Sequence, residues 1–253
     1  MKHYYFVFCK GDLLLQPMPD GSFTIPFEEE PPTEVKPWTH QMTVTMPDGM
    51  QVVTYQLDQP MRTALSPFSL RQTYYKLPKS LYLAAGKCQE LLYWDTNTKF
   101  CGVCGAPMKM HTEISKHCTA CGKEVWPQLA TAVIVLIHRD DEVLLVRAKN
   151  FRTDFYGLVA GFVETGETLE EAVAREAMEE TGIAIKNIRY FGSQPWPYPC
   201  GLMVGFHADY AGGEIHLQRS EIAKGGWFRR DQLPTIPEKL SIARMLLDDW
   251  LDS

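Results

Sequence analysis

The sequence predicts an α/β protein in three parts: a small N-terminal α/β domain, a cysteine-stapled insert, and a C-terminal domain of strands and helices. Three observations lead there. The chain has 253 residues, 45% hydrophobic and 22% charged, which suits a folded chain of two domains plus a small insert rather than a disordered one. Four of the seven cysteines fall in two CxxC pairs near the middle. Downstream of them, strand-length apolar runs alternate with one strongly capped helix and one amphipathic C-terminal helix.

Residues 1–60 contain the short β-like runs YYFVF, LLLQ, TVTM and QVVTYQL, separated by turn signals that include PDG twice. The Pro- and Glu-rich stretch 26–37 is expected to be an exposed loop. In 79–93, Leu81, Ala84, Ala85, Cys88, Leu91 and Leu92 follow a helical spacing. After the cysteines, Ala130 to Ile137 reads as a buried strand and Glu142 to Arg147 as its hairpin partner. Gly157 to Phe162 reads as a loop or short strand, and 188–192 and 202–210 as further strands. An amphipathic helix over 238–251 completes the chain. The expected boundaries are 1–96, 97–127 and 128–253.

The cysteine pattern is Cys101-x2-Cys104-x13-Cys118-x2-Cys121. Two CxxC pairs at this separation suit one tetrahedral zinc ion with four thiolate ligands. Glycines follow Cys101, Cys104 and Cys121, where tight turns let backbone amides approach sulfur. The intervening MKMHTEISKH reads as a hairpin. With all four positions filled by protein, the zinc is structural: a segment this short and this poor in apolar residues buries no core of its own. His111 and His117 are read as surface residues, and Cys9, Cys88 and Cys200 as ordinary thiols.

Charge is concentrated. The net charge is −6, and residues 164–180, with seven Glu and one Arg, account for all of it. This balance disfavours a globally basic nucleic-acid binder. Within GFVETGETLEEAVAREAMEETGI (161–183), Thr168 and Glu171 form a capping box and Gly182 ends the helix. Glu176, Glu179 and Glu180 stand at i, i+3 and i+4, so they share one side. Ala174, Ala177, Met178 and Thr181 are expected on the opposite side, against a sheet. Arg175 is expected to pair with Glu167 or Glu171. Carboxylates so crowded repel one another unless a cation sits among them, and hard divalent cations prefer oxygen ligands.

The order Gly161-x5-Glu167-x7-Arg175-Glu176-Ala177-x-Glu179-Glu180-x-Gly182-Ile183 resembles the Nudix box, with Ala177 where that family prefers a larger aliphatic residue. A second motif, Ser193-Gln194-Pro195-Trp196-Pro197-Tyr198-Pro199-Cys200-Gly201, resembles the SQPWPFPxS signature of the NADH pyrophosphatase branch of the Nudix superfamily. Its alternating prolines are expected to hold the backbone extended and stiff. That branch also places a four-cysteine ribbon before the Nudix domain. This chain departs from the signature at Tyr198, in place of Phe, and at Gly201, in place of Ser.

The resemblance implies a Nudix α/β/α sandwich with a mixed sheet. It implies metal-dependent hydrolysis of NADH or NAD to NMNH or NMN plus AMP, and removal of NAD caps from RNA 5′ ends. Carried over by position, Glu176, Glu179, Glu180 and Glu221, with the carbonyl of Ala160, would hold two or three Mg2+ or Mn2+ ions, Glu179 serving as ligand or general base. Gln194, Pro195, Trp196, Pro197, Tyr198, Pro199, Cys200 and Gly201 would border the substrate. Phe162 and Trp126, the latter in place of a family Tyr, would offer ring faces to a base. Arg71, Glu113 and Ala243 match weaker substrate contacts. The resemblance also implies a homodimer. Rival readings are a Nudix hydrolase of ADP-ribose, dinucleoside polyphosphates or a coenzyme A, or a non-catalytic zinc-ribbon RNA-binding or nucleotide-sensing protein. No apolar run has the roughly 18–20 residues that span a bilayer, and Tyr4 to Cys9 is shorter than a signal-peptide core, so a cytoplasmic protein with no membrane contact is expected.

Overall fold

The computed structural model describes residues 1–59, 64–149 and 153–253, which include every site residue named above. The chain forms two compact units: Met1–Gln128 together with Pro197–Cys200, and Leu129–Trp196 together with Gly201–Ser253.

The first unit opens on β1 (His3–Cys9), β2 (Asp12–Pro17), β3 (Phe23–Thr24), β4 (Phe27–Glu28), β5 (Met42–Thr45), β6 (Gln51–Leu57) and β7 (Ser66–Ser69). Their order is β3-β2-β1-β6-β5, with β4 on β1 and β7 on β2. Only β1 and β6 run parallel among these described pairs. The turn from β1 to β2 is Lys10-Gly11, both at positive φ (52° and 88°), which matches the right-handed twist of a two-residue hairpin. Helices α1 (Leu70–Thr73) and α2 (Lys79–Asn97) follow. Ala84, Ala85, Cys88, Leu91 and Leu92 are buried as the spacing predicted, whereas the helix runs one turn past 93 and adds buried Trp94. The Pro/Glu-rich loop is largely exposed and contributes the two residues of β4.

The cysteine segment folds as predicted into a hairpin, β8 (Met108–Thr112) and β9 (Ser115–Cys118), with β10 (Glu124–Val125) on its outer edge.

The second unit carries β11 (Ala130–Arg139), β12 (Glu142–Ala148), β13 (Val159–Phe162), α3 (Leu169–Thr181), β14 (Ala184–Trp196), β15 (Gly201–Gly212), β16 (Ile222–Arg229) and α4 (Ile242–Asp252). The sheet order is β14-β15-β11-β12-β16, with β13 also on β11. β11 and β15 are parallel and the rest antiparallel, so the sheet is mixed. The apolar run of β11 faces two cores. Val133, Val135 and Ile137 pack with Leu144, Val146, Phe206 and the α3 residues Ala172, Val173 and Ala177. Ile134 and Leu136 point the other way, to Val143, Leu145 and the α4 residues Ile242, Leu246, Leu247 and Trp250. This is the α/β/α sandwich, and it explains why the strand reads as an unbroken hydrophobic run.

Two elements differ from expectation. β14 is longer than 188–192 because bulges, with Asn187 at φ 51°, interrupt the alternation that marks a strand in sequence. α4 begins at Ile242 rather than 238, where the Ile242 amide donates to Gln194 Oε1 on β14 at 2.7 Å. A partner from a distant strand supplies this cap, so local sequence does not signal it.

Leu246 is fully buried and Met245 is 38% exposed. Leu246→Ala is expected to cost about 2–5 kcal/mol in denaturant unfolding of the second unit, and Met245→Ala less than about 0.5.

Candidate metal centre and active site

The four cysteines converge. Their sulfurs lie within 4.8 Å of one another, with Cys101–Cys121 at 3.7 Å and Cys104–Cys118 at 3.4 Å. Four thiolates about 2.3 Å from one zinc ion would stand close to these separations. The two CxxC turns are near copies. Gly105 donates its N–H to the Cys101 carbonyl and Gly122 to the Cys118 carbonyl, and both glycines sit at φ 74°. Gly102 does not take positive φ, so its expected turn role falls to the other two. The N–H groups of Cys121 and Ala120 point at the Cys118 sulfur from 3.4 Å and pull that thiol down to about 6. Donors so placed favour the thiolate, which is the form a metal takes. Both histidines stand outside this set: His111 is exposed and His117 half-buried, their rings 5.2 Å apart. Cys118→Ser is expected to strip the bound metal from the purified protein, read by elemental analysis.

In the second unit, α3 is built as predicted at both ends. Glu171 N–H donates to Thr168 Oγ1, Thr168 N–H returns to Glu171 Oε2 at 2.7 Å, and Gly182 ends the helix at φ 72°. Arg175 takes Glu167, not Glu171, which is committed to the cap. Its Nε and Nη2 fork onto Glu167 at 2.9 and 2.6 Å, and Nη2 also reaches the carbonyl of Phe162. This fork, with the Glu164 N–H, holds the Glu167 carboxyl down at about 2. Arg175 Nη1 touches one oxygen each of Glu176 (2.8 Å) and Glu179 (3.2 Å).

The buried side of α3 differs from the expected one. Ala172, Val173, Ala177, Glu180 and Thr181 are buried, while Ala174 and Met178 face solvent. The carboxylates therefore adjoin the packing face instead of opposing it, because Glu176 and Glu180 lean toward β13. The Glu176 carboxyl fills the place where a side chain on Gly161 would stand: a Cβ there would lie 2.0 Å from its carbon. Glu180 is 7% exposed.

Neighbouring backbone completes the cluster. Val163 N–H donates to Thr131 O, so alternation along the antiparallel pair turns the N–H and C=O of Ala160 away from β11. The Ala160 N–H reaches the Glu180 carboxyl. Since one residue of an extended strand points its N–H and C=O to the same side, the Ala160 carbonyl faces the same edge. Gln218 N–H donates to the Glu180 carbonyl, and the turn from Gln218 to Glu221 then sets Glu221 beside the helix end.

Electrostatics registers this crowding. Burial pushes Glu180 up to about 8, and the charges of Glu176 and Glu221 add to it, against the pull of the Ala160 amide. Burial also raises Glu176, with Glu179 and Glu221 adding and Arg175 opposing. Glu180 Oε2 is buried without a hydrogen-bond partner. A buried, unpartnered carboxylate oxygen amid further carboxylates and a strand carbonyl fits a hard divalent cation. The carboxylates span more than a single tight shell, for among the described residues only the cysteines gather within 4.8 Å.

The other predicted positions divide between the units. In the first, Glu113 is exposed and accepts from Thr45 Oγ1 at 3.3 Å, Trp126 is 52% exposed, and the Arg71 guanidinium lies 4.1 Å over the Tyr198 ring. In the second, Phe162 is 65% exposed. The Gln194 amide is occupied by α4, donating to Leu240 O and accepting from Ile242 N–H, and Ala243 lies buried one residue on. The proline motif is extended only through Pro195 and Trp196. Pro197 to Cys200 form a turn, because Trp196 pairs across the hairpin with Gly201 and the chain must reverse between them. A Cβ at Gly201 would stand 3.0 Å from the Trp196 carbonyl, so the glycine relieves this corner.

For the metal-free protein the sign is unusual for a carboxylate. The native pKa of Glu180, about 8, lies above its ordinary 4.5. The native state therefore binds the extra proton, and this group's contribution to stability is full below pH 4.5 and lost as pH rises through about 8. In denaturation without added divalent cation, Glu180→Gln is expected to remove a dependence of a few kcal/mol across this window.

Comparison with known proteins gives the lineage. Residues 127–249 match the NUDIX domain, 96–125 the NADH pyrophosphatase zinc ribbon domain, and 2–94 the NADH pyrophosphatase-like rudimentary NUDIX domain. A protein named NAD-capped RNA hydrolase NudC from Stutzerimonas stutzeri (strain A1501) is 41% identical over 206 residues, 81% of this chain and 75% of that one. Its namesake from Klebsiella pneumoniae subsp. pneumoniae is 46% identical over 182 residues, covering 72% and 70%. The crystal structure of a NUDIX hydrolase from Nitrosomonas europaea shares the fold, with TM-score 0.53 and 21% identity over 61% of this chain and 90% of that one. With its zinc ribbon, its rudimentary N-terminal domain and its intact glutamate box, the chain belongs to the NADH pyrophosphatase branch of the Nudix hydrolases.

Proposed function

We propose that this chain hydrolyses the pyrophosphate bond of NADH and NAD, giving NMNH or NMN and AMP, and removes NAD caps from RNA 5′ ends. The observation that carries the reading is the unpartnered, buried Glu180 oxygen set among Glu176, Glu221 and the turned-out Ala160 carbonyl. The names of the curated relatives support the choice of substrate. Two or three Mg2+ or Mn2+ ions, when bound, would neutralise the diphosphate and activate a water for attack on phosphorus.

The chain's own residues do the rest. Glu176, Glu180, Glu221 and the Ala160 carbonyl hold the cations. Glu179, more exposed, is a further ligand or the base that accepts the water's proton. Arg175 steadies the Glu176 and Glu179 carboxyls through one oxygen each, leaving the other of each for ions or water. From the family resemblance, Phe162, Trp126 and residues 194–201 would contact the dinucleotide, their rings suited to a base, and Arg71, Glu113 and Ala243 would make weaker contacts. The ribbon zinc is structural, one ion per chain. Domain limits of 1–96, 97–127 and 128–253, a homodimer and a cytoplasmic setting complete the proposal. No helix among the described residues is long and apolar enough to cross a membrane.

The test is product analysis after incubation with NADH, NAD, ADP-ribose and NAD-capped RNA, with and without divalent cation. AMP with NMNH or NMN is expected, only with metal, and Glu180→Gln is expected to lower kcat by about 10²-fold or more. A preference of about 100-fold for ADP-ribose over NADH would reassign the substrate. Absence of metal-dependent turnover would leave a binding protein.

A further inference from the structure

The four-residue turn Pro197–Cys200 belongs to the first compact unit, although the strands on either side of it belong to the second. Its grip is a stripe on α2: Tyr82, Gly86 and Gln89, at i, i+4 and i+7, so they share one side of the helix. Gln89 Nε2 donates to the Pro197 carbonyl at 2.8 Å. The hydroxyls of Tyr82 and Tyr198 share a hydrogen bond of 2.9 Å. Gly86 makes room: a Cβ there would stand 3.1 Å from Pro197 Cγ. On its other side, the Tyr198 ring lies under the Arg71 guanidinium at 4.1 Å.

The details point to registration as well as packing. Pro197 is buried and its carbonyl meets a directed donor, so the turn is fixed in position along the helix. Burial raises both Tyr82 and Tyr198, which keeps both phenols protonated and their shared bond intact across the neutral range. Tyr198 stands where the family signature has Phe. The hydroxyl that distinguishes this chain thus has a partner in Tyr82, and Phe at 198 would have none to offer it.

We infer that Tyr82 and Gln89 are positioning residues for substrate binding: they hold Pro197 and Tyr198, within the motif proposed to contact the dinucleotide, in register on α2. The inference rests on the function proposed above, in which that motif contacts the substrate.

The test uses full-length Tyr82→Phe, Gln89→Leu and their combination, with Tyr198→Phe for a double-mutant cycle against Tyr82→Phe. Hydrogen–deuterium exchange first reads the turn: the peptide covering 193–203 is expected to exchange faster in each variant, with the strands of β1 and β6 unchanged. Kinetics with NADH then read its purpose. KM is expected to rise about 3- to 10-fold for the loss of one directed hydrogen bond, with kcat within about 2-fold for Tyr82→Phe and Gln89→Leu. Tyr82→Phe and Tyr198→Phe are expected to be non-additive, since each removes the same bond. A variant that merely weakened the fold would lower Tm and the active fraction, and would leave KM alone. Faster exchange at 193–203 with an unchanged KM overturns the positioning role and leaves the proposed hydrolase standing, as does unchanged exchange. Should the wild type turn over another nucleoside diphosphate and not NADH, the same KM-against-kcat split on that substrate decides the inference. A wild type with no turnover overturns both.

Discussion

The carboxylate cluster of the second unit depends on placing acidic groups where water is scarce. Glu180 is buried at the C-terminal end of α3, and the Ala160 amide answers one side of the group. Taking a carboxylate from water costs several kcal/mol unless something charged or strongly polar replaces the hydration. Most of the local architecture can be read as what makes that burial tolerable. Gly161 vacates the space for Glu176, the Glu167 fork anchors Arg175 beside the cluster, and the sheet turns one strand's polar edge toward the helix. A divalent cation is the natural counterpart of such a site.

The sheet supplies the rigidity this requires. β11 is covered on both faces, by α3 with its core and by α4 with its own, so the strand that carries β13 has little freedom to shift. α3 is restrained at both termini: the capping box starts it, and its final carbonyls are taken by backbone amides from 216 and 218. The two knuckles of the ribbon rely on a four-cysteine metal site in place of a core, each turned by a left-handed glycine.

Much of this was legible in the sequence because the signals were local. The capping box at Thr168, the glycine at 182, the CxxC spacing and the hydrophobic run of β11 each depend on residues within a turn or a strand of one another. What escaped was long-range. The start of α4 is set by Gln194, nearly fifty positions earlier, and nothing near 238–242 announces it. The spacing of the glutamates placed them together but could not orient the helix: Ala174 looked buried and is exposed, because a carboxylate pair tucked against β13 outranks small apolar side chains for the inner position. The alternating prolines suggested one continuous extended segment, whereas strand pairing between Trp196 and Gly201 forces a reversal. Tyr198 was the available clue to its partner on α2, since a hydroxyl added to an aromatic position asks for an acceptor.

The cation cluster draws on three stretches that are far apart along the chain: residue 160, residues 176–180, and a turn near 218 that delivers Glu221. During synthesis the first two leave the ribosome well before the third. A nascent or prematurely terminated polypeptide that ends before residue 221 therefore carries the recognisable glutamate helix without the carboxylate that the 218–221 turn sets beside it.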